Sequence, residues 1–330
     1  MKHLIKKLTE TFSPSGYESK ICEIIREEIK DFADEIRVDA LGNLIARKGS
    51  GGKKIMLAAH MDEIGLIVNH VDKNGFARFS QLGTFLPHTL VGARVRFLNG
   101  AYGVVGAEYL IKERQTKLVP LDKMFIDTGA TSPKDSLVKI GDVAALERPF
   151  HDLGKRLIAK SMDNRVSVAV LIETMRKFKT TAHEVYFVFT TQEEVQLRGA
   201  MTSAFGIAPE IGIAIDICPV GDTPDSEKKE VSLGKGVSIK IKDPGMIADP
   251  RIVEWMIKGA EKEKIPYQRE VSTLGTTDAR AIQTAGAGAM VGGLSIPCRY
   301  VHSPSEMVDY DDVQNTVKLL VALLEKKIKL

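Results

Sequence analysis

The chain has 330 residues, and its 44% apolar and 27% charged residues are typical of a globular protein in water. This length is comfortable for two domains. The 46 basic and 43 acidic residues leave a formal net charge of only +3, which argues against nucleic acid or an anionic membrane as a partner.

Cysteine usage and the lack of targeting segments predict a cytoplasmic protein. The chain has three cysteines, Cys22, Cys218 and Cys298, which are far apart in sequence. An odd number of distant cysteines favours a reducing compartment over a disulfide framework. The N-terminus is basic but has no apolar stretch of signal-peptide length. No run of about 18 apolar residues occurs, so no membrane span is predicted.

The first part of the chain has the pattern of an α/β unit. The spacing of apolar residues predicts helices over residues 3–12 and 19–35. Residues 55–59 are almost wholly apolar and end at His60, which predicts a strand buried on both faces. A further strand is predicted over residues 65–71.

The middle of the chain differs from its two ends. Residues 70–150 contain short β-branched segments punctuated by glycine, which predicts a small inserted β domain, a barrel or a sandwich. After it, strands and helices alternate again, which favours a mostly parallel sheet with helices on both faces. The predicted fold is therefore α/β, with one discontinuous domain at 1–69 and 151–330 and the insertion at 70–150.

Polar residues follow three predicted buried strands at the point where each strand ends. His60 and Asp62 follow the first, Glu193 and Glu194 follow the strand at 185–190, and Asp216 follows the strand at 211–215. Ligand sites in open α/β sheets lie beyond the carboxyl ends of the strands. We therefore expect these side chains to meet at one edge of the sheet.

Asp163 and His302 could join this cluster from loops. A mixture of imidazole and carboxylate suits zinc or a similar divalent ion, and five such ligands exceed what one tetrahedral zinc needs. The number fits two ions that share a bridging carboxylate and a water. Ordinary structural roles stay open at this point, because Asp163 could cap a helix and Glu193 with Glu194 could be an exposed pair.

Five ordered segments carry a more specific pattern. They are AAHMDEIGLIV (58–68), SMDNR (161–165), TTQEEV with LRGA (190–200), AID with GDTP (214–224) and RYVHSPSEM (299–307). Together they resemble the glutamyl-aminopeptidase and tetrahedral-aminopeptidase family of cytosolic exopeptidases. The similarity spans nearly the whole chain.

The resemblance implies a ligand set for two divalent metal ions per subunit, zinc or cobalt. His60 and Glu194 would bind different metals, each with one further ligand from His302 or Asp216. Asp163 would bridge the two metals.

The resemblance also implies a catalytic pair and an assembly. Glu193 would act as the general base, and Asp62 would hydrogen-bond His60 and fix its tautomer. The fold would be zinc-exopeptidase-like, and the insertion at 70–150 would be the dimerisation domain. Substrates would be peptides, and the subunits would form dimers and a tetrahedral dodecamer.

Two segments depart from the family pattern. Gln196 stands where relatives usually have glycine, and glycine tolerates backbone angles that glutamine does not. Cys218 lies in a segment where relatives have smaller residues, so it is either a buried bystander or a modifier of metal preference. Residues 276–279 resemble a family stretch near the substrate side chain, although they could also form an ordinary helix cap.

Other functions remain open in the sequence. Some relatives are called endoglucanases, but a glycosidase needs only two carboxyl groups, about 5–5.5 Å or 6.5–9.5 Å apart. A deacylase, a carboxypeptidase or a non-catalytic peptide-binding protein could use the same fold. The choice between zinc and cobalt and the N-terminal residue that is preferred in a peptide substrate are left open by the sequence.

Overall fold

The computed structural model describes residues 1–108, 118–226, 230–326 and 328. In this part of the chain, an 11-stranded sheet is flanked by helices, and a closed six-stranded barrel is attached to it. The predicted α/β class with an inserted β-barrel is confirmed. None of the helices in the described ranges has both the length and the apolar character needed to cross a bilayer.

Seven α-helices are present in the described residues. In chain order they are α1 (Lys2–Thr9), α2 (Ser19–Ile29), α3 (Met162–Lys177), α4 (Arg198–Ile207), α5 (Pro250–Lys262), α6 (Asp278–Gln283) and α7 (Tyr310–Leu324). Helix α3 is buried on almost every side because it packs against the sheet and also contacts α1, α2 and α7. Helices α4 and α6 form a second group that packs on the sheet.

The same residues contain 17 strands. The first nine are β1 (Glu35–Val38), β2 (Leu44–Lys48), β3 (Lys54–His60), β4 (Gly65–Val71), β5 (Ala77–Leu82), β6 (Arg94–Phe97), β7 (Tyr102–Ala107), β8 (Met124–Asp127) and β9 (Val143–Leu146). The others are β10 (His151–Asp152), β11 (Arg156–Ala159), β12 (Glu184–Thr190), β13 (Ile211–Pro219), β14 (Val237–Lys242), β15 (Tyr267–Val271), β16 (Met290–Arg299) and β17 (Glu306–Asp309).

The sheet is parallel at its centre and antiparallel towards its edges. Strands β12, β3, β13 and β16 lie side by side and run parallel. Strands β2, β14 and β17 pair antiparallel to the outer members of this group. The central strands are apolar along almost their whole length because helices cover both faces.

The barrel follows directly after β3. Its strands close in the order β4, β5, β8, β7, β6 and β9. The first barrel strand begins at Gly65 rather than at residue 70, because Leu66 and Val68 already point into the barrel core. Residues 109–117 of the predicted insertion lie outside the described residues. Since β3 ends at His60, the beginning of the barrel lies close to the carboxyl edge of the sheet.

Candidate metal centre

The central strands bring the predicted polar residues to one edge of the sheet. His60 is the last residue of β3, and Glu193 and Glu194 follow β12. Asp216 lies inside β13, which continues to Pro219 instead of ending at residue 215. All four side chains face a common centre that Asp163 and His302 complete.

Asp163 lies between two groups of ligand atoms. Its Oδ1 is 3.0 Å from His60 Nε2, which is also 3.9 Å from Asp216 Oδ1. Its Oδ2 is 3.3 Å from His302 Nε2, which is also 3.3 Å from Glu194 Oε1. Within each group the ligand atoms all lie within 4.8 Å of one another. The first ligand group thus consists of His60, Asp163 and Asp216, and the second consists of Asp163, Glu194 and His302. The two groups share the carboxylate of Asp163.

The cluster is buried and acidic, and this favours bound cations. Burial raises the pKa of Asp216 well above its ordinary value, and Asp163 raises it further. Among the described residues, no lysine or arginine forms an ion pair with Asp163, Glu193, Glu194 or Asp216. Buried carboxylates without a counter-charge are costly. Imidazole nitrogen and carboxylate oxygen are donors that zinc and similar divalent ions accept, so these residues fit bound divalent metal.

The pKa values of the two histidines also show that the cluster stabilises positive charge. Burial lowers the pKa of His302, but Glu194 and Asp163 outweigh this effect and raise it to about 12. Burial likewise lowers the pKa of His60, and Glu193 and Asp163 hold it well above its usual range. A cluster that favours two imidazolium ions this strongly attracts cations in general.

Glu193 lies beside the first group of ligands. Its Oε2 is 3.9 Å from His60 Nε2, and a third combination of possible ligand atoms joins it with His60 and Glu194. Burial raises the pKa of Glu193 well above its ordinary value, and Asp216 and Glu194 raise it further while His60 lowers it. A carboxylate of raised basicity is suited to proton transfer near neutral pH.

Asp62 connects the two strand ends that carry these residues. Its carboxylate is fully buried and accepts hydrogen bonds from the backbone N–H of Glu193 at 3.0 Å and of Glu194 at 3.2 Å. It also accepts one from the Ser15 hydroxyl at 2.6 Å. Its distance to His60 Nδ1 is 3.4 Å, which is long for a hydrogen bond. Asp62 therefore fixes the Glu193–Glu194 backbone more firmly than it fixes His60.

Glu306 has a structural role that the sequence pattern did not reveal. Its Oε2 accepts a hydrogen bond from the backbone N–H of Asp163 at 2.9 Å, and its Oε1 accepts one from the backbone N–H of His302 at 2.7 Å. Burial raises its pKa to about 8, and Asp163 adds to this shift. Glu306 thus fixes the backbone of Asp163 relative to the backbone of His302.

Asp278 is a second residue whose place the sequence left open. Thr277 caps α6, as an ordinary helix cap would, since its side chain accepts a hydrogen bond from the Ala279 N–H. Asp278 itself is buried and accepts a hydrogen bond of 2.6 Å from the hydroxyl of Thr190, at the end of β12. Burial raises its pKa to about 6.

The two departures from the family pattern have different structural consequences. Gln196 has a φ of +84°, so the loop after Glu194 keeps a glycine-type conformation at a residue that tolerates it poorly. Cys218 is buried, and burial raises the pKa of its thiol well above its ordinary value. It belongs to none of the possible metal groups in the described ranges, which favours the role of a bystander.

Comparison with known proteins identifies the family. The sequence profile of the M42 glutamyl aminopeptidases matches residues 42–319. The lysyl aminopeptidase of Pyrococcus furiosus is 37% identical over 336 residues, which cover 98% of this chain and 96% of that protein.

Solved structures agree with this assignment. The aminopeptidase APDkam598 from the archaeon Desulfurococcus kamchatkensis is 40% identical, with a TM-score of 0.94 over 98% of this chain and 94% of that chain. The TET1 peptidase of Pyrococcus horikoshii, which can assemble into a tetrahedron or a large octahedral shell, is 36% identical, with a TM-score of 0.89 over 98% and 99% of the two chains. The chain is therefore an aminopeptidase and belongs to the M42 glutamyl aminopeptidase family of metal-dependent peptidases.

Proposed function

We propose that this aminopeptidase releases N-terminal residues from peptides. Each subunit would use two divalent metal ions, zinc or cobalt, for this reaction. The observation that carries the proposal is the position of Asp163 between two ligand groups. His60 and Asp216 would hold one ion, Glu194 and His302 would hold the other, and Asp163 would bind both. The distances support this grouping of partners, which the sequence alone left open.

The residues around the ligands support a hydrolytic mechanism. When bound, two such ions polarise the scissile carbonyl and lower the pKa of the attacking water. Glu193 lies beside the first group and would accept the proton of that water, then donate it to the leaving amine. Asp62 keeps Glu193 in place through its backbone, and Glu306 keeps Asp163 and His302 in place.

A requirement for a free α-amino group tests the reaction class. We expect hydrolysis of unblocked aminoacyl p-nitroanilides and no hydrolysis of the same compounds after N-acetylation. A panel of such substrates, assayed with several metals, also reveals the preferred residue. Release of acetate from the blocked substrates would indicate a deacylase. Equal release of p-nitroaniline from blocked and free substrates would contradict an aminopeptidase, and glycosidase activity that resists chelators would favour an endoglucanase.

We also propose a cytoplasmic location, which the state of the cysteines supports. Cys22, Cys218 and Cys298 are all free and buried. Cys218 and Cys298 lie on the adjacent strands β13 and β16, where Cys218 pairs with Pro297 and Cys298 with Pro219. This offset places their side chains on opposite faces of the sheet, so they are not arranged for a disulfide.

We propose that the barrel, predicted at 70–150, is a dimerisation domain and that the dimers form a dodecamer. Its surface carries exposed apolar side chains at Leu98, Tyr102, Leu137 and Ile140. Light scattering is expected to give at least twice the 36.2 kDa of one chain. A single 36.2 kDa species at micromolar concentration would contradict the proposal.

A pair of variants tests which surface forms the dimer. Leu137→Glu with Ile140→Glu places charge on the barrel, whereas Phe205→Glu places it at an exposed position of helix α4. We expect the barrel variant to become monomeric and the α4 variant to remain at least dimeric. The opposite result would assign the dimer contact to the α/β domain.

A further inference from the structure

One glycine of the barrel lies against a proposed metal ligand. Gly83 follows β5 and has a φ of +83°. A Cβ atom at this position would lie 3.1 Å from Glu194 Oε2, 3.3 Å from Glu194 Cβ and 2.7 Å from Ile64 Cγ2. The lack of a side chain at Gly83 thus leaves room for both neighbours, because a Cβ there would overlap Ile64 and crowd Glu194.

The segment that contains Gly83 is anchored in the barrel core through Phe85. Phe85 is buried and belongs to the hydrophobic core of the barrel together with Ile64. The Phe85 N–H donates a hydrogen bond to the Gln81 side chain at 3.3 Å. The residue two positions after Gly83 is therefore fixed in the barrel core.

The two oxygens of Glu194 face different neighbours. Its Oε1 is 3.3 Å from His302 Nε2, on the side of the second ligand group. Its Oε2 is the oxygen nearest to the Gly83 position. A glutamate side chain has three rotatable bonds, so an atom added beside Oε2 would shift the carboxylate and, with it, Oε1.

We infer that Gly83 is a positioning residue for Glu194, through which the barrel orients one ligand of the second metal ion. This inference rests on the proposed function, because it takes Glu194 to be a ligand. It makes the barrel part of the support of the metal centre as well as the proposed dimer contact. Neighbours that orient a ligand typically change metal affinity roughly 10- to 100-fold when they are altered.

Gly83→Ala and Gly92→Ala form a matched pair. Gly92 has a φ of +84°, and a Cβ there would meet nothing within 4 Å. Both changes impose the same backbone strain on the barrel, but only Gly83→Ala adds an atom against Ile64 and Glu194. We expect Gly83→Ala to bind one of two zinc ions about tenfold more weakly than the parent. Gly92→Ala is expected to bind both like the parent.

Zinc affinity is measured with zinc alone, by competition with a chromophoric chelator, and the unfolding temperature of the metal-free variants serves as the structural control. Zinc affinity in Gly83→Ala equal to that of Gly92→Ala would overturn the inference, whether both match the parent or both are weakened. If Gly83→Ala does not fold, Phe85→Leu replaces it. The smaller side chain should hold the Gly83 segment less firmly in the barrel core and so also lower the affinity for one zinc ion. Unchanged zinc binding in Phe85→Leu would then contradict the inference.

A third variant separates this inference from the proposed function. Glu194→Gln should lose one zinc ion if Glu194 is a ligand. If it keeps both ions, the ligand assignment fails and the role of Gly83 fails with it. If it loses one ion while Gly83→Ala keeps both, only the inference about Gly83 fails.

Discussion

Removal of divalent metal is expected to abolish peptide hydrolysis, and addition of zinc or cobalt is expected to restore it. The carboxylates of Asp163, Glu194 and Asp216 share a buried space with two histidines, and no basic side chain among the described residues pairs with these carboxylates except the histidines. Without metal, the attacking water keeps its ordinary high pKa. Glu193 alone is then too weak a base to generate a competent nucleophile.

The experiment is dialysis against a chelator, followed by activity assays and elemental analysis. Calcium is the matched control, because it prefers six to eight oxygen ligands and should not restore activity at a site with histidine nitrogen. The metal-free protein should also unfold at a lower temperature, since binding to the native state stabilises it. Full activity without bound metal would refute the two-metal proposal.

The central strands could be predicted well from the sequence because a strand that is buried on both faces consists almost wholly of apolar residues. Strands β3, β12 and β13 are runs of apolar residues, and such runs occur where helices cover both faces of a parallel sheet. Helix ends were predicted less well. The second helix was expected to continue to residue 35, but α2 ends at Ile29 because the chain turns there and β1 begins at Glu35. The spacing of apolar residues does not show where a helix ends and the pairing of a β-strand with its neighbour begins.

The ligand candidates could be found from sequence, but their grouping could not. Strand ends place His60 and Asp216 at one edge, but which carboxylate lies near each histidine depends on how distant parts of the chain pack. Glu306 and Asp163 are separated by 143 residues, and a carboxylate that binds two backbone N–H groups leaves no pattern in sequence. Gly83 looks like any turn glycine until the approach of Glu194 is seen.

Glu193 and Glu194 are adjacent, but their glutamine variants are expected to fail in different ways. Both side chains lie near His60, and both belong to combinations that could bind a metal. Glu194 Oε1 lies 3.3 Å from His302 Nε2, within the group that shares Asp163. Glu194→Gln should therefore bind only one metal ion firmly.

Glu193→Gln should keep both metals and lose turnover. An amide cannot accept the proton of the attacking water, and proton transfer by a positioned side chain contributes roughly 10²–10⁴ to the rate. Because the Asp62 hydrogen bond goes to the Glu193 backbone, the substitution should leave the loop in place. Some activity should survive, because two bound metals still acidify the water.

Metal content and kcat, measured together on both variants, separate the two roles. If Glu193→Gln loses a metal while Glu194→Gln keeps both, the assignments are reversed. If Glu193→Gln retains a kcat near that of the parent, another group accepts the proton. Asp278 would then be the first residue to test, because it is a buried carboxyl group whose charge acts on Glu193, and burial raises its pKa to about 6.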